Sequence, residues 1–292
     1  MPPGAPAYLP PPTPRSLASR PIFWIVLVVG ILAFLAFLAA AGFAGYSKVI
    51  KRVKEKQAKQ EAMAELEQLT KEQRQSLRNE LDGTGGISSS SEEHLDKLQQ
   101  ALKKSGTGTD GDAAAARAAA AWSEKIGEAT KRFEEASAKL DDPAVMDAAT
   151  LKSKKDITLR RTLVRDFIAA NQQLAEVFQN SERDLNANLR AEGVPPGKLP
   201  PMAQGFFASL RQQNPIVQKI REQDTAYGGV MLQWLDLVET EWGSWTVEND
   251  ELAFTNQAAN ELHSKFLADL EEIGTVQEDA QRQMLELQEK EQ

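Results

Sequence analysis

A chain of 292 residues, 26% charged and 41% hydrophobic, can fill one or two folded domains and is too charged for a multi-span transporter. Its net charge of −8 argues against a general nucleic-acid binder, because neutralising phosphates needs a basic surface. The absence of cysteine removes disulfides, zinc ribbons, iron–sulfur clusters and thiol nucleophiles, and leaves the redox compartment open.

Residues 1–21, MPPGAPAYLPPPTPRSLASRP, hold eight of the fourteen prolines and read as an unfolded, semi-rigid spacer. From Ile22 to Tyr46 no residue is charged. A helix of this length would span roughly 37 Å, enough to cross a ~30 Å hydrocarbon layer, with Trp24 and Tyr46 near its ends. A secretory signal cleaved at Ala39-x-Ala41 or Gly42-x-Ala44 is the competing reading. The apolar run is too long for it, and six basic residues follow in the manner of a stop-transfer flank. The expectation is an uncleaved single-pass transmembrane helix over 22–46. Lys48, Lys51, Arg52, Lys54, Lys56 and Lys59 are then candidate lipid-headgroup contacts.

The same basic flank favours a cytoplasmic body by the positive-inside bias. Against this stands the ability of long domains to translocate largely regardless of charge. Ala36, Ala40 and Ala44, with Ala41 and Gly45, make a small-residue ladder. Two spans can approach closely on such a face, although these residues are also simply common in membrane helices.

Residues 47–82 read as a membrane-proximal helical stalk with a seam at Ala62, Leu66, Leu69, Gln73, Leu77 and Leu81. Residues 83–112 read as two Gly/Ser/Thr linkers around a short helix capped by Ser91 and running to Lys104. The body, 113–292, opens with an alanine-rich helix for which Asp112 is the predicted cap. Asp142 and Pro143, with Asp147 in the first turn, predict the start of a long helix to about Arg190. Its seam is Leu163, Phe167, Ala170, Leu174, Phe178, Leu185 and Leu189. The segment GVPPGKLPP then turns the chain back.

A short helix with Phe206, Phe207 and Leu210 follows, then a fresh start at Asn214-Pro215 and a weakening or kink at Gly228-Gly229. Around ENDE, Trp245 and Val247 alternate with Leu252 and Phe254, which predicts a small β-hairpin near 244–254. The last helix carries Phe266, Leu270, Ile273, Gln277, Ala280, Met284 and Leu287 at alternating spacings of four and three. This is the pattern of a coiled-coil or bundle seam, and the seven form the candidate self-association seam. From Thr255 onward there are nine acidic and three basic residues.

The two histidines, His94 and His263, form no metal-ligand pair, and neither a phosphate loop nor a nucleophile elbow is present. No cofactor, metal, catalytic residue or small-molecule substrate is therefore expected. Tyr227, Trp234, Trp242, Trp245 and Phe254 either form a packed junction between hairpin and helices or line a candidate pocket. The basic run Lys152, Lys154, Lys155, Arg160, Arg161 and Arg165 has a counterpart in the acidic last helix, within the chain or between chains.

These readings combine into an all-α fold. A single transmembrane helix leads to an elongated antiparallel helical bundle or coiled-coil body with one small β-hairpin. The expected function is a non-enzymatic interaction or scaffold module, with the bilayer and either a second copy or another helical protein as partners and no nucleic acid. The alternative is a ligand-sensing or lipid-binding domain built on the aromatic cluster.

Overall fold

The computed structural model describes residues 91–107, 109–140, 142, 145, 148–248 and 251–290, together with helical positions 64, 68, 71, 72, 75 and 78. The described chain is mostly helical. It comprises α1 (Ser91–Ser105), α2 (Gly111–Leu140), a short 3-10 turn (Ala148–Thr150), α3 (Lys154–Gln179), α4 (Ser181–Ala191), α5 (Pro201–Thr240), β1 (Trp245–Glu248), β2 (Glu251–Phe254) and α6 (Gln257–Lys290). No helix among the described residues is long and apolar enough to cross a membrane. The proline-rich tail, the span expected at 22–46 and its basic flank lie outside the described residues.

Cross-helix contacts fix the directions. Lys125 Nζ on α2 reaches Asp184, while Arg117 Nε reaches Glu192 at 2.6 Å, so α2 and α4 run antiparallel. Along α3 and α5, Arg161 meets Asp236 at 2.6 Å, Asn171 Nδ2 donates to the Arg221 carbonyl at 2.7 Å, and Asn214 Nδ2 donates to the Phe178 carbonyl at 3.2 Å. The falling and rising numbers make this pair antiparallel too. Helix α6 returns along α5, and α1 packs on α2 with Leu98, Ala101 and Leu102 buried. Seven buried alanines between Ala113 and Ala120 give α2 a smooth surface for close approach. Arg117 stands among them and donates to the Gly106 carbonyl at 2.7 Å, closing the α1–α2 turn.

Several predicted helix starts and stops are corrected. The cap of α2 is Asp110, whose Oδ1 accepts from Ala113 N at 2.7 Å. Asp112 instead accepts from Met202 N at 3.0 Å and ties the two helix starts together. Of the start predicted at Asp142-Pro143, Pro143 lies outside the described residues, while Val145 is helical and its N–H donates to the Asp142 carbonyl at 2.7 Å. Helix α3 begins at Lys154. Its Ser153–Asp156 capping box has Asp156 accepting from Ser153 N at 2.7 Å and Lys152 N at 3.0 Å. It also stops at Gln179: at Asn180 the backbone leaves helical geometry (φ −91°, ψ 3°), and the Glu176 carbonyl accepts from both Asn180 N at 3.0 Å and Asn180 Nδ2 at 2.8 Å.

Asn214-Pro215 starts nothing, since α5 is continuous over 40 residues, about 60 Å, with Pro215 inside it. Pro215 and Arg211 are both exposed, so the carbonyl that loses its donor faces water. Gly228-Gly229 does not interrupt α5 either. A Cβ on Gly228 would lie 2.5 Å from Ile168 Cγ1, so the missing side chain lets α3 and α5 approach closely here.

The hairpin forms as its alternation predicts, pairing Trp245 with Phe254 and Val247 with Leu252. Gly243, at φ 86°, makes the turn out of α5. Asn260 on α6 exchanges two hydrogen bonds with the Phe254 backbone, at 2.6 and 2.9 Å, clamping β2 to the start of the last helix.

Candidate functional site

The least expected feature of the body is polar and central. On α5, every third or fourth residue faces inward: Val217, Arg221, Asp224, Gly228, Met231 and Leu235 are all buried. Two core positions of this stripe are therefore charged. Arg221 Nη2 and Asp224 Oδ2 lie 3.2 Å apart with side-chain exposures of 2% and 0%. The guanidinium carbon sits 4.8 Å above the Phe133 ring of α2, a cation–π contact. From α3, Asn171 Nδ2 donates to the Arg221 carbonyl and, at 3.0 Å, to Thr225 Oγ1. From α6, Gln277 Nε2 donates to Asp224 Oδ1 at 2.7 Å. Four helices thus meet at one polar layer.

The layer is incompletely satisfied. Arg221 Nε and Nη1, Asp224 Oδ2, Asn171 Oδ1 and, one turn along α6, Gln281 Oε1 have no hydrogen-bond partner among the described residues. Desolvation raises the Asp224 carboxyl to about 6, against the opposing pull of Arg221 and Gln277. Desolvation also lowers the Arg221 guanidinium, partly offset by Asp224. A buried pair with open donors costs more to desolvate than a fully bonded one, so the layer adds little stability of its own.

The last-helix seam converges on this layer. Phe266, Leu270, Ile273, Gln277, Ala280 and Met284 are buried and Leu287 is half-buried, along α5. Acidic residues occupy the outer side of α6, where Glu271, Glu272, Glu278, Asp279 and Glu286 are exposed. Near the far end of the helix, Arg78 Nε donates to Glu289 Oε1 at 3.1 Å, which ties residue 78 to α6.

All five aromatics belong to the hydrophobic core or pack against it. Trp242 and Trp245 pack edge to face at 5.6 Å, and Trp245 Nε1 donates to the Val238 carbonyl at 3.3 Å. Phe254 is buried against His263, ring to ring at 5.7 Å, and burial lowers the imidazole pKa. Trp234 is buried one turn before Val238, whereas Tyr227 packs on Phe167 of α3 at 6.3 Å. An open groove of about 450 Å3 lies elsewhere, at the α4–α5 elbow, lined by Arg183, Asn186, Leu189, Arg190, Val194 and Leu199 among others.

The basic run is also divided. Arg161 pairs with Asp236 at 2.6 Å and Glu239 at 2.8 Å, so its counterpart is α5 and not the acidic last helix. Arg160 is buried and donates to Thr150 Oγ1. Lys152, Lys154, Lys155 and Arg165 are exposed. Among the described residues no three His, Asp or Glu side chains group in a way that would hold a metal ion.

Sequence reasoning missed the Arg221–Asp224 layer because REQD reads as a solvated helix face. The signal was the period of α5, which places both charges on the stripe of Val217, Met231 and Leu235. Compared with protein-family models, curated proteins and solved structures, the chain finds no match.

Proposed function

We propose that the chain is a membrane-tethered, non-enzymatic helical scaffold that works by presenting long helix faces to another copy of itself or to a second helical protein. The span at 22–46 is its anchor, Lys48 to Lys59 meet anionic headgroups, and the body lies on the cytoplasmic side. The observation that carries this reading is α6, 34 residues long, whose seam packs on α5 and leaves an acidic face exposed along its length. Helices of 30 to 40 residues arranged antiparallel offer extended surfaces for side-on docking.

The test is the mass of the full chain, extracted in detergent and measured by multi-angle light scattering, together with alkaline carbonate extraction of membranes. A dimer or larger species that resists carbonate supports the scaffold. A monomer at micromolar concentration, or release by carbonate, overturns its assembly or its anchoring respectively.

A further inference from the structure

We infer that two copies of the chain dock side by side, the basic face at the start of α3 on one copy meeting the acidic outer face of α6 on the other. This rests on the scaffold reading and names its two surfaces.

The basic face is a departure in a chain of net charge −8: residues 151–165 carry six cations and one acid. The acid, Asp156, is spent on the capping box of α3. Of the cations, Arg160 is buried and Arg161 is held by Asp236 and Glu239. Lys152, Lys154, Lys155 and Arg165 are exposed and form no ion pair among the described residues. One turn beyond Lys155 stands Leu159, 60% exposed. The surface therefore offers one uncovered apolar side chain inside a charged rim.

The outer face of α6 has the complementary form. Between Lys265 and Arg282 the helix carries no cation. Glu271 and Glu272 lie four and three residues before Thr275, and Glu278 and Asp279 three and four after it, so four carboxylates ring one small, exposed side chain. They too form no ion pair among the described residues, and like charges so placed repel one another. Cations from outside relieve that repulsion, and the short Thr275 leaves room for Leu159. The lengths are comparable: Lys154 to Arg165 cover about 17 Å of α3, and Glu271 to Asp279 about 12 Å of α6.

The two faces cannot serve each other within one chain. Helices α3 and α6 both pack on α5, with Ile157 and Val164 of α3 and Ile273 and Ala280 of α6 buried, so the charged faces point away from the body. The one basic-run residue that finds carboxylates, Arg161, finds them on α5. The complement of each face is thus on a second copy. In the scaffold reading the anchor holds copies in one plane and raises their effective concentration, which suits a contact made of opposite charges.

The test is charge reversal in the full chain in non-ionic detergent, with dimer dissociation constants from sedimentation equilibrium. One variant carries Lys154→Glu and Lys155→Glu, the other Glu278→Lys and Asp279→Lys. All four positions are exposed, and circular dichroism checks that both variants keep the helical fold. Each variant alone should dimerise at least tenfold more weakly than the unmodified chain. Mixed one to one, an intact basic face meets an intact acidic face again, and the heterodimer should be at least fivefold tighter than either homodimer. A mixture no tighter than its components, or a dimer that neither variant weakens, overturns the inference and leaves the scaffold with another surface. A monomeric unmodified chain rejects both.

Discussion

At the scale of single residues, the physics of Asp224 makes the sharpest prediction. Its carboxyl binds a proton more tightly in the folded body than in the unfolded chain, about 6 against 3.8. Ionised Asp224 is therefore the strained form. Its contribution to stability is greatest at low pH and is lost as pH rises through about 6, a change on the order of 2–3 kcal/mol. Asp156 and Asp184 have lowered pKa values and act in the opposite sense, losing stability as pH falls below the ordinary carboxylate range. Subtracting the unfolding free energy of Asp224→Asn from that of the unmodified chain isolates the buried group. The difference should favour the unmodified chain increasingly from pH 7.5 to 4.5, measured by urea denaturation. A flat difference would mean that the carboxyl is solvated and the polar layer open.

The adjacent glycines give a second residue-scale contrast. Gly229→Ala adds a methyl where nothing lies within 4 Å and should stabilise α5 by ~0.5–1 kcal/mol. Gly228→Ala drives the same methyl into Ile168 and should cost about 1–3 kcal/mol despite its better helix propensity. Equal effects in thermal denaturation would remove the close approach of α3 and α5.

At the scale of elements, period was legible in the sequence and punctuation was not. The hairpin alternation and the α6 heptad read correctly because both repeat over several residues and a single exception does not change the face. Helix ends depend on one or two hydrogen bonds. Asp110 and Asp112 are equally good caps on paper, and only the proximity of Met202 N assigns Asp112 elsewhere. The pair Asn214-Pro215 has a start signal, yet packing of Gln213, Val217 and the surrounding α5 stripe carries the helix through it. Proline in a helix interior is intrinsically unfavourable by ~3 kcal/mol, so Pro215→Ala should raise stability by about 1–2 kcal/mol if α5 is one helix. A neutral or negative change in the urea midpoint would place a true break at 214–215. The buried ion pair escaped for a related reason: charge normally marks the outer face, and only the spacing of Arg221 and Asp224 on an otherwise apolar stripe reveals them as core.

At the scale of the whole molecule, the body is built around the polar layer. Helices α2, α3 and α5 share Phe133, Phe167, Leu174, Val217 and Leu235 and enclose the polar layer. Helix α6 closes that layer from one side, through a seam in which a glutamine stands where a large apolar residue would bind more tightly. The stability of its backbone hydrogen bonds should therefore be lower than that of the helices beneath it. Native-state hydrogen exchange of the full chain resolves this without any substitution. Amides of α6 around Leu270 to Met284 should exchange at least tenfold faster than those of α3 around Val164 to Leu174. Their opening should also respond weakly to denaturant, because only the α5–α6 surface becomes exposed. Exchange of α6 at the global unfolding rate, with the full denaturant dependence, would make the body one cooperative unit.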